Sequence, residues 1–191
     1  MMGLDLPGFA DPVGDAQATF RALLDAMARP GTLHEVADLG TPPSLGAASA
    51  SVLLTLVDGE TPLWLDASCM AARAWLAFHC GAVLTDDPAS AAFAISIGMP
   101  PLGIFRAGSD AAPEESATLI LQVEALGAGP VYRLSGPGLR LPSSLQVVGL
   151  PEDFPAQWTA NHALYPRGID LVLCAGRRFC CLPRSVQIEM G

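Results

Sequence analysis

Apolar and polar positions change their period partway along this chain. After Asp11-Pro12, apolar residues recur at Ala16, Phe20, Leu23, Leu24 and Met27, the spacing of a helix. Asp at the cap and Pro at the first helical position suit its start, and Pro30-Gly31 ends it. Thr32 to Val36 predicts a short strand. A second helix is expected from near Ser44 through Leu53, Leu54 and Val57, stopping at Asp58-Gly59. Thr61 to Leu65 reads as a strand carrying Trp64. Ser68 to His79 reads as a third helix closed by Gly81.

Strands dominate from there on. Ala92 to Ile97 predicts a buried strand. Pro100-Pro101 opens a turn, with a short helix expected over Leu102 to Ala107. Ser109 to Ser116 is polar and reads as a mobile loop. Thr118 to Glu124, Val131 to Ser135 and Leu145 to Gly149 predict three more strands, with Gly136-Pro137-Gly138 turning the chain between the last two. Asp153 to Ala163 predicts a helix with Phe154, Trp158, His162 and Leu164 near one side. Ile169 to Cys174 and Phe179 to Leu182 flank an Ala-Gly-Arg-Arg turn and predict a β-hairpin, followed by a last strand over Ser185 to Glu189. Alternating helices and strands that give way to strands predict an α/β fold, a mixed β-sheet with helices on its faces.

Length and composition narrow the picture. A chain of 191 residues without a linker-like stretch is expected to form one domain over residues 1–191. Only 15% of residues are charged and 51% are hydrophobic, with a mean hydropathy of +0.40. That much apolar surface points to subunit contacts as well as a core. No stretch is long and apolar enough to predict a membrane span, and no signal peptide is evident at the N-terminus. The net charge of −9 argues against nucleic acid as a partner. All ten basic residues are arginine. Without lysine the chain cannot form an internal Schiff base or a P-loop, so pyridoxal-phosphate chemistry is not expected and no cofactor is assigned.

No complete catalytic constellation is visible. His34 could move a proton, but an ordinary exposed or capping histidine is the favoured reading. His79 suits a helix C-terminus. The five cysteines, Cys69, Cys80, Cys174, Cys180 and Cys181, have neither disulfide nor zinc spacing, and no metal site is expected. Cys180 and Cys181 should point to opposite faces of a strand, so a thiol mechanism is a minor alternative. The arginines are more suggestive. Arg167 and Arg184 sit at the two outer ends of the predicted hairpin, which would bring them side by side. Two guanidiniums there suit a phosphate, a carboxylate or an acidic surface, or else are solvated or paired internally. Arg29 either binds the last carbonyls of the first helix or projects into a cleft with them.

Five blocks, in order, carry a resemblance. They are Phe20-Arg-Ala-Leu-Leu-Asp-Ala-Met-Ala-Arg-Pro-Gly31; Leu54-Thr-Leu-Val-Asp58 with Glu60-Thr-Pro-Leu-Trp-Leu-Asp66; Leu134-Ser-Gly-Pro-Gly138; Tyr165-Pro-Arg-Gly-Ile-Asp170; and Leu182-Pro-Arg184. Together they resemble the H subunit of bacterial carbon–phosphorus lyase over nearly the whole chain. The resemblance implies a fold similar to pyridoxal-phosphate-dependent transferases but without the cofactor. It implies a cytoplasmic protein, a homodimer when isolated, that joins G, I and J subunits in organic phosphonate catabolism. With the G, I and L subunits it would support displacement of adenine from ATP by a phosphonate, giving a ribose 1-phosphonate 5-triphosphate. No catalytic residue carries over. Arg29, Arg167, Asp170 and Arg184 carry over as matched positions only. An accessory subunit role is expected, and the alternative is an arginine-lined site for the phosphonate or triphosphate, with Asp170 orienting one arginine.

Overall fold

The computed structural model describes residues 6–191. The first helix, α1 (Pro12–Ala28), starts as its sequence requires: the Asp11 side chain accepts a hydrogen bond from the Gly14 N–H, and Pro12 follows the cap. Thr19, Leu23 and Ala26 are its buried residues. Phe20 and Leu24, which share the helical spacing, are exposed instead.

β1 (His34–Glu35) is followed by α2 (Ala47–Leu56). This helix begins at Ala47 and not at Ser44. The side chain of Gln122, far along the chain, accepts from the Gly46 N–H at 2.7 Å and from the Ser49 hydroxyl at 2.7 Å, and so fixes the start. Residues Ala47 to Leu53 are all buried, since α2 packs against α1, α3 and the sheet. Small residues on its first turns permit that close enclosure. β2 (Leu63–Leu65) leads into a tight 3-10 segment, Ala67–Ala72, and then α3 (Arg73–Cys80), so the third helix is α-helical only in its second half. Gly81 at φ 65° closes it, as expected.

β3 (Leu84–Thr85), β4 (Phe93–Ile97) and β5 (Thr118–Gln122) follow. The short helix expected over Leu102 to Ala107 is one 3-10 turn, Leu102–Ile104. Ser109 to Ser116 also carries a 3-10 turn, Pro113–Glu115, and the Pro113 carbonyl is bound by Arg184 at 2.7 Å. β6 (Ala125–Ser135) is longer than the sequence suggests. Its pairing with β7 (Ser143–Val148) shifts register between Leu126 and Val131, and Gly127 and Gly129 lie in that stretch with positive φ. α4 (Phe154–His162), β8 (Asp170–Ala175), β9 (Arg178–Leu182) and β10 (Gln187–Met190) complete the chain, and β8 and β9 form the expected hairpin.

The strands make two sheets. Seven lie in the order β1-β9-β8-β5-β4-β2-β3, with β9 running against the other six. Three form a small antiparallel sheet, β10-β6-β7. The fold is therefore α/β with a mixed sheet and flanking helices. One face of the large sheet packs Ile95, Ile120, Val172, Cys174 and Cys181 against α1, α2 and α3. The other packs Leu119, Leu121, Leu171, Leu173 and Cys180 against α4 and the small sheet, through Phe154, Trp158, Leu134 and Val147. Half of the second layer is thus a sheet where helices were expected. Cys180 and Cys181 do point to opposite faces, and both faces are core. None of the helices of the described residues is long and apolar enough to cross a membrane.

The Ser-Gly-Pro-Gly turn after β6 presses on the end of α1. A Cβ at Gly138, whose φ is 84°, would overlap the Ala28 carbonyl and lie 2.9 Å from Pro30 Cδ. Gly138→Ala combines that clash with a left-handed backbone, so it should cost about 2 kcal/mol or more. Urea unfolding of the variant checks this, and a midpoint within error of the parent would contradict it.

Candidate functional site

The β8–β9 hairpin brings its outer ends together, as its sequence implies. Gly168 sits so close to Arg184 that a Cβ there would lie 3.4 Å from the Arg184 Cβ. Asp170 opens β8 and Arg184 follows β9. The Asp170 Oδ1 accepts from the Arg184 backbone N–H at 2.7 Å and from its Nε at 3.1 Å, while Oδ2 accepts from Nη2. The remaining Nη1 donates to the Pro113 carbonyl. Both side chains are largely enclosed, at 15% and 18% exposure. Asp170 does orient one arginine, but that arginine is spent on the fold: its fork is directed at Asp170 and at the 113–115 turn.

Helix α4 clamps the same joint. Buried Asn161 accepts from the Ile169 N–H at 2.7 Å and donates to the Ile169 carbonyl at 2.9 Å. His162 Nδ1 lies 2.9 Å from the Arg184 carbonyl, which makes it the donor and leaves Nε2 as an acceptor toward Gln187. Asn161 was not singled out by sequence reasoning. Its signal was an Asn near the end of a helix, which a solvated end explains equally well.

Arg167 behaves differently. Its side chain is 41% exposed and its Nε lies 3.1 Å from the carboxylate of exposed Asp110. Nε itself is buried without hydrogen-bond geometry, so the contact with Asp110 is a loose one. Arg29 caps the end of α1, is 64% exposed and pairs with Asp25 one turn back. The three arginines therefore have three separate carboxylates, Asp25, Asp110 and Asp170. No hydrogen bond or ion pair among the described residues joins Arg29 to Arg167 or Arg184. Beside the hairpin joint lies an open cavity of about 380 Å³, lined by Glu114, Tyr165, Pro166, Asp170, Arg184 and Ser185.

Asp25 also approaches His34, whose Nε2 is 3.2 Å from the second carboxylate oxygen but without hydrogen-bond geometry. The imidazole stacks on Phe179 with centroids 5.5 Å apart. Burial, then the Arg29 charge, hold His34 below its ordinary value of 6.5. The unfolded chain therefore binds this proton more readily than the folded one. The contribution of the neutral ring to stability is complete above pH 6.5 and is lost as pH falls from 6.5 through the lower native value. His34→Gln should flatten the decline in melting temperature between about pH 7 and about pH 5; a decline as steep as the parent's would contradict this. His79 is held structurally, with Nε2 3.0 Å from the Leu6 carbonyl.

The cysteines offer no ready thiolate. Burial pushes Cys80 and Cys180 up to about 12 and raises Cys69, Cys174 and Cys181 as well. Among the described residues no group of three or more His, Cys, Asp or Glu could hold a metal ion.

Fold and site define the class: an α/β protein whose hairpin base is locked by an enclosed ion pair, with a partly exposed arginine, Arg167, in the loop before β8. The chain belongs to the bacterial phosphonate metabolism protein (PhnH) family, whose match spans residues 7–189. It is 42% identical over 187 residues to "Alpha-D-ribose 1-methylphosphonate 5-triphosphate synthase subunit PhnH" of Rhizobium meliloti (strain 1021), covering 95% of this chain and 94% of that relative. It is 33% identical over 177 residues to "Putative C-P lyase subunit protein HtxG" of Stutzerimonas stutzeri, covering 91% of this chain and 86% of that one.

Proposed function

We propose that this chain is an accessory subunit of a carbon–phosphorus lyase system in organic phosphonate catabolism. In that role it supports formation of a ribose 1-phosphonate 5-triphosphate, in which a phosphonate oxygen replaces adenine at C1′ of ATP. The observation that carries the proposal is 42% identity, over nearly the whole of both chains, to a relative named as a subunit of the synthase for such a compound. The partners we assign are the G, I and J subunits, in the cytoplasm, with a homodimer when the chain is isolated. The likeness to pyridoxal-phosphate-dependent transferases belongs to this proposal too. It is supported by the seven-stranded sheet with one reversed strand, and the absence of lysine argues against the cofactor itself.

Co-expression with the G, I and J subunits, followed by size-exclusion chromatography with mass determination, tests the proposal. Stoichiometric co-migration is expected. A chain that stays free would contradict it.

A second role is favoured by one observation: the Arg167 side chain is partly exposed and its contact with Asp110 is a loose one. We assign any direct contact with a triphosphate or phosphonate to Arg167; the pairing of Arg184 with Asp170 and of Arg29 with Asp25 supports this reading. Arg167→Ala should leave the melting temperature unchanged within about 2 °C, as exposed ion pairs contribute little. It should lower the synthase activity of the reconstituted assembly about tenfold or more. Full activity would remove Arg167 from the site.

A further inference from the structure

Helix α1 carries two apolar stripes, and the fold uses one. The inner stripe, Thr19, Leu23 and Ala26, is buried. The outer stripe runs Val13, Gln17, Phe20 and Leu24, at alternating steps of four and three residues, and ends at Met27, which is partly buried against the core. That spacing is the seam by which one helix packs along another. Val13, Phe20 and Leu24 are 68%, 46% and 54% exposed. Gly14, Ala16 and Ala28 flank the stripe and are small enough for a second helix to approach closely. Arg21 stands at its edge, exposed, and has no ion-pair partner among the described residues.

Arg21 decides what fits there. The stripe is centred on Phe20. A second copy packed antiparallel about a two-fold axis would set Arg21 against its own counterpart, a like-charge contact. A second copy packed parallel would set Arg21 against the counterpart of Ala16. Neither arrangement supplies a carboxylate. A helix from a different chain can supply one.

Resting on the subunit role proposed above, we propose that the outer stripe of α1 is the docking surface for an amphipathic helix of another subunit. That helix presents a matching apolar seam and sets an acidic residue opposite Arg21. Phe20 and Leu24 are the central anchors, and Arg21 fixes register and partner choice.

The experiment is co-expression of the full chain with the G, I and J subunits, comparing the parent with Phe20→Glu/Leu24→Glu and with Arg21→Glu. Circular dichroism and thermal unfolding of each isolated chain establish folding, which the exposure of these side chains should preserve. The double variant is expected to fold normally and to co-purify about tenfold less or worse. Arg21→Glu, which removes no apolar contact, should also reduce co-purification. Retention of both folded variants at parental levels would overturn the proposal while leaving the subunit role standing. If the isolated parent is a dimer that Phe20→Glu/Leu24→Glu makes monomeric, with retention in the assembly unchanged, the occupant is a second copy and the proposal fails. If the parent itself does not join the assembly, the subunit role fails, and the docking proposal with it.

Discussion

Asp170→Asn should lower the melting temperature of this chain by roughly 10 °C. The carboxylate of Asp170 receives the backbone N–H, Nε and Nη2 of Arg184 in an enclosed position. Removing its charge strands a guanidinium that water reaches poorly, a loss of about 3–5 kcal/mol. For a chain of this size each kcal/mol moves the midpoint by about 2–4 °C. The loss reflects an unpaired charge more than a lost attraction, and this distinction is measurable. Asp170→Leu combined with Arg184→Met removes both charges and should recover part of the stability. Thermal unfolding followed by circular dichroism checks both. A single variant as stable as the parent would mean that the ion pair is not the lock of the hairpin base.

Trp158→Ala should cost a similar amount, about 3–5 kcal/mol. Trp158 is fully buried between the large sheet and the small one, and its indole N–H donates to the Val186 carbonyl at 2.7 Å. The side chain thus fills the second core and ties α4 to the approach of β10. Trp158→Phe separates the two contributions. It keeps most of the apolar volume and leaves the Val186 carbonyl unpaired, so about 1–3 kcal/mol is expected. Equal losses for both variants would assign the whole effect to the hydrogen bond. A negligible loss for Trp158→Phe would assign it to packing.

Much of this architecture was legible along the chain because the signals are local. Asp11-Pro12, the Gly81 cap and the Ala-Gly-Arg-Arg turn each specify their own geometry. The features that escaped were set by distant residues. The start of α2 depends on Gln122, at the end of β5. β3 is two residues long, too short for any alternation to show, whereas β1 falls within the strand expected over Thr32 to Val36. The alternation of β6 and β7 marks them as strands but says nothing of which sheet they join.

The motif blocks illustrate the same divide. Tyr165 to Asp170 meets Leu182 to Arg184 through the enclosed ion pair, and Leu134 to Gly138 meets the end of the first block through Gly138 and Pro30. In the second block, Asp58 Oδ1 accepts the backbone N–H groups of Glu60 and Thr61 and the Thr61 hydroxyl, closing the turn before β2. These blocks are joints of the fold. The hairpin sets Gly168 and Asp170 against Arg184, while Arg167 turns to a different carboxylate, Asp110. Asp25 lies one helical turn from Arg29 and Asp170 was already expected to orient one arginine; Asp110 had to be brought in by the tertiary structure.

An accessory subunit needed for phosphonate ribosyl transfer should reveal itself in adenine release. The G, I and L subunits are mixed with ATP and methylphosphonate, with and without this chain, and free adenine is measured over time. Release is expected when this chain is present, with little without it and none from this chain alone. Equal release without the chain, or turnover by the chain on its own, would contradict it.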